Sequence, residues 1–105
     1  MSKKEVVVLL GTGSIGQAIA RRVGVGKHIV LADLKQENAD IAAKILESAG
    51  FETSTISTDL GSKDSILELA EHAKNFGEVK NLINAAGVSP SQASVCQGLY
   101  HALHK

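Results

Sequence analysis

Three glycines near the amino end have the spacing of a phosphate-holding turn. They lie in Gly11-Thr12-Gly13-Ser14-Ile15-Gly16, between the apolar run Val6-Val7-Val8-Leu9-Leu10 and a helical period. Glycine at 11 permits a tight turn out of a strand, at 13 it lets backbone approach a bound group, and at 16 it lets helix and strand pack closely. A helix starting here points unpaired N–H groups and a partial positive charge at the loop's occupant, which suits a pyrophosphate. Asp33 stands twenty residues beyond Gly13, after a second apolar run, His28-Ile29-Val30-Leu31-Ala32. A carboxylate there accepts hydrogen bonds from both hydroxyls of an adenosine ribose and repels a 2′-phosphate. The loop and the acid, with Leu34 beside it, predict a nicotinamide dinucleotide site that takes NAD, with NADP disfavoured. Thr12 and Ser14 are neutral and offer no cation to a 2′-phosphate; Lys35 is the nearest basic residue, while Arg21 and Arg22 read as a solvated helix face.

Positioning these residues requires alternating strands and helices. Val6 to Leu10 reads as a central parallel strand covered on both faces. The helix from Ser14 carries Ile15, Ala18, Ile19 and Val23 on one face and stops at Gly24 and Gly26. A second helix, Gln36 to Ala49, has the stripe Ala42, Ile45, Leu46 and Ala49 and ends at Gly50. Phe51 to Ser57, rich in Thr and Ser, suits an edge strand. Ser62 caps a third helix with Asp64 in its first turn and the stripe Ile66, Leu69, Ala70 and Ala73. Val79 to Ala85 forms a fourth strand ending at Gly87. The alternation predicts an α/β, Rossmann-type three-layer αβα fold with a parallel sheet in the order 3-2-1-4. The first two helices then share one face and the third takes the other. Residues 1–94 read as the dinucleotide-binding half-domain and 95–105 as an atypical tail. One helix leaves part of a four-stranded face bare, and strand 4 keeps a free edge, so a cover is expected from the C-terminal tail, a second copy of the chain or further sequence, with a homodimer favoured.

Composition narrows the classes. With 105 residues the chain builds one small core, and 44% hydrophobic against 21% charged residues marks a folded chain. Lys+Arg and Asp+Glu both number 11, so no charge excess attracts nucleic acid or an anionic membrane. The run Val6 to Leu10 is too short for a signal sequence or a membrane span. The single cysteine, Cys96, forms no intramolecular disulfide, and a cytoplasmic protein is expected. His101 and His104 supply too few ligands for a metal site.

Two later features go beyond a generic nucleotide fold. Asp59-Leu60 follows the third strand, and Asn84-Ala85-Ala86-Gly87 ends the fourth. With the glycine loop they resemble the short-chain dehydrogenase/reductase family, particularly its 3-oxoacyl-[acyl-carrier-protein] reductases. The resemblance implies that Asp59 contacts the adenine amino group, that the Leu60 N–H contacts the ring, and that Asn84 to Gly87 shape the cofactor floor. It implies an oxidoreductase that moves a hydride between nicotinamide and a carbonyl or alcohol carbon. The loop departs from the family's commonest spacing, GxxxGxG. The family's catalytic Ser and Tyr-x-x-x-Lys lie well beyond the fourth strand, and Tyr100 and Lys105, five apart, do not match them. No catalytic residue is therefore assigned, and the chain reads as a truncated cofactor-binding portion, inactive alone. The competing reading is a stand-alone NAD-sensing regulatory module, against which Asn84-Ala85-Ala86-Gly87 weighs.

Overall fold

Val6 to Leu10 is apolar at every position, and every position is buried, at 0 to 1% exposure. Only a strand covered on both faces achieves this. The computed structural model describes residues 4–59 and 61–85. In them β1 (Lys4–Leu10), α1 (Ser14–Val23), β2 (His28–Asp33), α2 (Gln36–Ser48), β3 (Glu52–Ser57), α3 (Lys63–Lys74) and β4 (Gly77–Asn84) alternate. The strands are parallel and ordered β3-β2-β1-β4, as expected. Successive side chains of a strand point to opposite faces, so β1 serves two cores. Val7 and Leu9 join Ile29 and Leu31 beneath Ala20 of α1 and Ala39, Ala42, Ala43 and Leu46 of α2. Val6, Val8 and Leu10 join Val30 and Ala32 beneath Leu69, Ala70 and Ala73 of α3. β3 is half-buried along most of its length, as an edge strand of Thr and Ser should be.

The helix faces need correction. Among the described side chains of α1, Gly16 and Ala20 are buried and Val23 packs partly buried against the core, while Ala18 is exposed and Ile19 is 42% exposed; the Ile15 side chain lies outside the described residues. The seam runs along residues 16, 20 and 24 because small residues let the helix settle on the sheet. A Cβ at Gly24 would come within 2.6 Å of Ala20 O and 2.8 Å of Ile29 Cδ1. In α2, Ala39, Ala42, Ala43 and Leu46 are buried, whereas Ile45 and Ala49 are exposed. There again the alanines face the sheet. The stripe expected for α3 is observed, with Ile66 partly buried against the core. Ser62 caps α3 by accepting the Ser65 N–H at 3.3 Å. The strands begin and end within two residues of expectation; β4 starts at Gly77 and ends one residue before Ala85. The tail 95–105, Cys96 and the histidines at 101 and 104 lie outside the described residues.

At the amino end of the sheet a polar cluster ties α3 to β2 and β3. His28, 2% exposed, stacks on Phe76 with centroids 3.9 Å apart. Its Nδ1 lies 2.6 Å from Glu52 Oε2 and its Nε2 2.8 Å from Ser54 Oγ, which lies 3.0 Å from His72 Nε2. The carboxylate can only accept, so Nδ1–H donates to Glu52. In the neutral ring Nε2 then accepts from the Ser54 hydroxyl, whose oxygen accepts from His72.

Candidate functional site

Register brings the expected residues into one row. Leu10 pairs with Ala32 and with Asn84, and Ala32 pairs with Ile56. Gly11, Asp33, Ser57 and Ala85 thus stand one step beyond that level, along the carboxyl edge of the sheet. Backbone bonds extend the ladder there: Gly11 N–H donates to Ala32 O at 2.8 Å, Thr58 N–H to Asp33 O at 2.8 Å, and Ala85 N–H to Leu10 O at 2.7 Å. The glycine loop leaves β1, whose two neighbours carry their connecting helices to opposite faces. That is the topological switch point, where open α/β sheets take their ligands.

Each glycine meets a distinct demand. Gly11 has φ +84°, a left-handed turn that glycine adopts without strain. A Cβ at Gly13 would meet nothing within 4 Å, so this stretch of backbone is open to a bound group. A Cβ at Gly16 would lie 2.7 Å from Ala85 Cβ and 2.9 Å from Leu9 Cδ1. The first turn of α1 has no side-chain cap and no acidic residue. By contrast α2 has Glu37 and α3 has the Ser62 cap and Asp64 in that turn. The N–H groups of α1 are therefore left for an anion. The side chains of Ser14 and Ile15 are outside the described residues.

Asp33 closes the site on the β2 side. Its Oδ2 accepts the Thr12 N–H at 3.1 Å and the Thr12 hydroxyl at 2.8 Å; its Oδ1 accepts the Lys35 N–H at 3.0 Å. Burial works to raise its pKa, but the bonds from Lys35 and Thr12, with the Asn38 amide, outweigh it and hold the carboxyl below its ordinary value. Gln17 Nε2 donates to Thr12 O at 2.7 Å and braces the loop from α1. The Thr12–Asp33 and Gln17–Thr12 bonds and the Gly16–Ala85 contact were not anticipated from sequence. Their partners meet only through strand register and helix seating, and no local signal marks them.

Leu34 is 66% exposed beside Asp33. Asp59 is exposed, and its Oδ1 accepts the Gly61 N–H at 2.9 Å, so it also shapes the turn after β3. Asn84 is exposed at the end of β4, and Ala85 is half-buried. Leu60, Ala86 and Gly87 are outside the described residues. Two grooves of about 340 and about 290 Å³ lie elsewhere, one between α2 and β3 and the other at the amino end of the sheet near Lys4 and Phe51. Among the described residues no group of His, Cys, Asp and Glu could hold a metal ion, and no helix is long and apolar enough to cross a membrane.

An uncapped helix start, an open glycine backbone and a tethered carboxylate in one row define the class: a Rossmann-like nucleotide-binding fold. Residues 4–98 match the family model described as short chain dehydrogenase, and the chain belongs to that family. It is 36% identical over 87 residues to the short-chain dehydrogenase/reductase bsc3 of Alternaria brassicicola, an alignment covering 83% of this chain and 32% of that protein. A metagenomic short-chain oxidoreductase in complex with NADP matches with a TM-score of 0.74 and 25% identity, over 97% of this chain and 54% of that one. A structure named as a D-mannonate oxidoreductase from Haemophilus influenza, with bound NAD, matches with a TM-score of 0.68 and 26% identity, over 86% of this chain and 33% of that one. The chain spans about one third of the length of the curated relatives it matches.

Proposed function

We propose that the chain is the cofactor-binding portion of a short-chain oxidoreductase and that it takes NAD in preference to NADP. The observation that carries this reading is the Asp33 carboxylate, tethered by Thr12 and Lys35 one step beyond β2 and next to the glycine loop. A nicotinamide dinucleotide, when bound, supplies or accepts the hydride. The residues present fit such a group. The first turn of α1, with Gly11, Thr12, Gly13, Ser14, Ile15 and Gly16, holds the pyrophosphate, and Asp33 with Leu34 holds the adenosine ribose. Asp59 and Leu60 border the adenine, and Asn84, Ala85, Ala86 and Gly87 form the floor. The solved neighbours with NAD and with NADP support the cofactor class, and the anionic Asp33 supports the choice between them.

The reading extends to a 3-oxoacyl substrate, a carbonyl reduction for which Asn84 to Gly87 carry the resemblance, and to a cytoplasmic homodimer. The 105 residues contain no Tyr-x-x-x-Lys, the motif that carries the family's acid/base chemistry, and binding without turnover is the outcome proposed for them. Calorimetric titration of the 105-residue chain is expected to give tighter binding of NADH than of NADPH. Tighter NADPH binding would sink the assignment of Asp33. Reduction of a 3-oxoacyl thioester by the purified chain, at a rate near that of full-length relatives, would refute the binding-only role.

A further inference from the structure

Thr12 is 7% exposed, inside a loop otherwise open to solvent at Gly13. Its hydroxyl and its N–H converge on one oxygen, Asp33 Oδ2, at 2.8 and 3.1 Å, and the opposite oxygen takes the Lys35 N–H. Charge-assisted bonds of this kind are stronger than neutral ones, and donors on both oxygens resist rotation of the carboxylate. Thr12 is itself held. The turn at Gly11 fixes it from one side, with Gly11 N–H bonded to Ala32 O immediately before Asp33. From the other side Gln17 Nε2 binds its carbonyl at 2.7 Å. The strand end, the loop, the first turn of α1 and the acid therefore form one braced unit.

We propose that Thr12 is a specificity-determining residue of this site: its hydroxyl fixes the Asp33 carboxylate in the attitude that accepts a free ribose 2′-hydroxyl and turns away a 2′-phosphate. This rests on the NAD reading above and deepens it. Valine at position 12 keeps the shape of threonine but removes the shorter of the two bonds to Oδ2, while the backbone N–H of residue 12, the Lys35 N–H and the Asn38 amide remain. The carboxylate is then held less firmly at the ribose position, its discrimination against a 2′-phosphate weakens, and Lys35 stands two residues on as an exposed cation for that phosphate. Thr12 acts through Asp33 and is a positioning residue.

The test titrates the 105-residue chain with NADH and with NADPH as wild type, Thr12→Val, Thr12→Ser and Asp33→Asn. A carbon-detected NMR titration of the Asp33 carboxyl without nucleotide accompanies it. Thr12→Val is expected to narrow the NADH-over-NADPH ratio of Kd values about tenfold, as for loss of one hydrogen bond to a charged group. It is also expected to raise the Asp33 pKa, while Thr12→Ser keeps both near wild type. Thr12→Ala takes the place of the valine variant if that chain fails to fold. If Thr12→Val keeps the wild-type ratio and pKa while Asp33→Asn loses the ratio, the inference about Thr12 is overturned and the NAD reading stands. If Asp33→Asn leaves the ratio unchanged, or the wild type prefers NADPH or binds neither nucleotide, both fall.

Discussion

A methyl group at Gly16 would have to share space with Ala85 Cβ and Leu9 Cδ1, both closer than 3 Å. Overpacking of this kind costs about 1–3 kcal/mol and displaces the elements involved. Gly16→Ala is therefore expected to lower the urea midpoint and weaken nucleotide binding together, because the seam it opens lies under the loop. Unchanged binding in a destabilised chain would separate the two effects. A second expectation concerns acid. His72 is held below its ordinary 6.5, by burial first and then by the nearby His28. The unfolded chain takes that proton more readily, so this stability is complete above pH 6.5 and is lost as the pH falls through the window below it. Glu52 is held below its ordinary 4.5 by its bond to His28 and by Lys4, and adds a further loss below pH 4.5. The groups facing this cluster are Glu52 of β3, His28 of β2, His72 of α3 and Lys4 of β1, whose Nζ lies 3.1 Å from Glu52. His72→Gln should flatten the decline in urea midpoint that sets in as the pH falls below about 6.5 and leave the lower one, which sets in below about pH 4.5. A slope that survives in this variant would assign it elsewhere. Single residues were legible where one residue carries the reason. Gly11 needs its positive φ, and Asp33 needs its place after β2. Thr12 was legible only as a neutral loop residue, since its partner is 21 positions away.

At the level of elements, the start of each helix states its use. α3 carries a serine cap and an acid in its first turn, so its end is satisfied from within. Ser62→Ala should cost about 1 kcal/mol by urea unfolding, with the NADH Kd unchanged. A loss of binding on that substitution would mean that α3 helps hold the nucleotide. The type and order of the elements were readable because apolar runs alternate with helical periods, and right-handed crossovers leave one order. The seating of α1 and α2 was not. A hydrophobic period favours large residues such as Ile19 and Ile45, yet the helices face the sheet mainly with glycine and alanine, joined by Leu46 and in part by Val23. Close approach buries more backbone and sheet surface than a bulky side chain held at a distance, and periodicity does not register that choice.

The whole molecule has no formal net charge, which weakens repulsion between copies. β4 ends the described sheet, with Leu82 and Ile83 only partly buried. Its ion pair, Lys80 to Glu78 at 3.3 Å, lies in its first half. Light scattering is expected to find a dimer, and a stable monomer over a wide concentration range would remove that expectation. The strand order also sets a timetable. β1 is synthesised before β2 and β4, yet it lies between them. On the ribosome Val6 to Leu10 can find β2 once residue 33 has emerged, but its other flank waits for residue 84. At roughly 5–20 residues per second that interval lasts seconds, with the apolar stretch Val6 to Leu10 open along one side. The segment that later bears the glycine loop is thus the one a nascent-chain chaperone has longest to shelter.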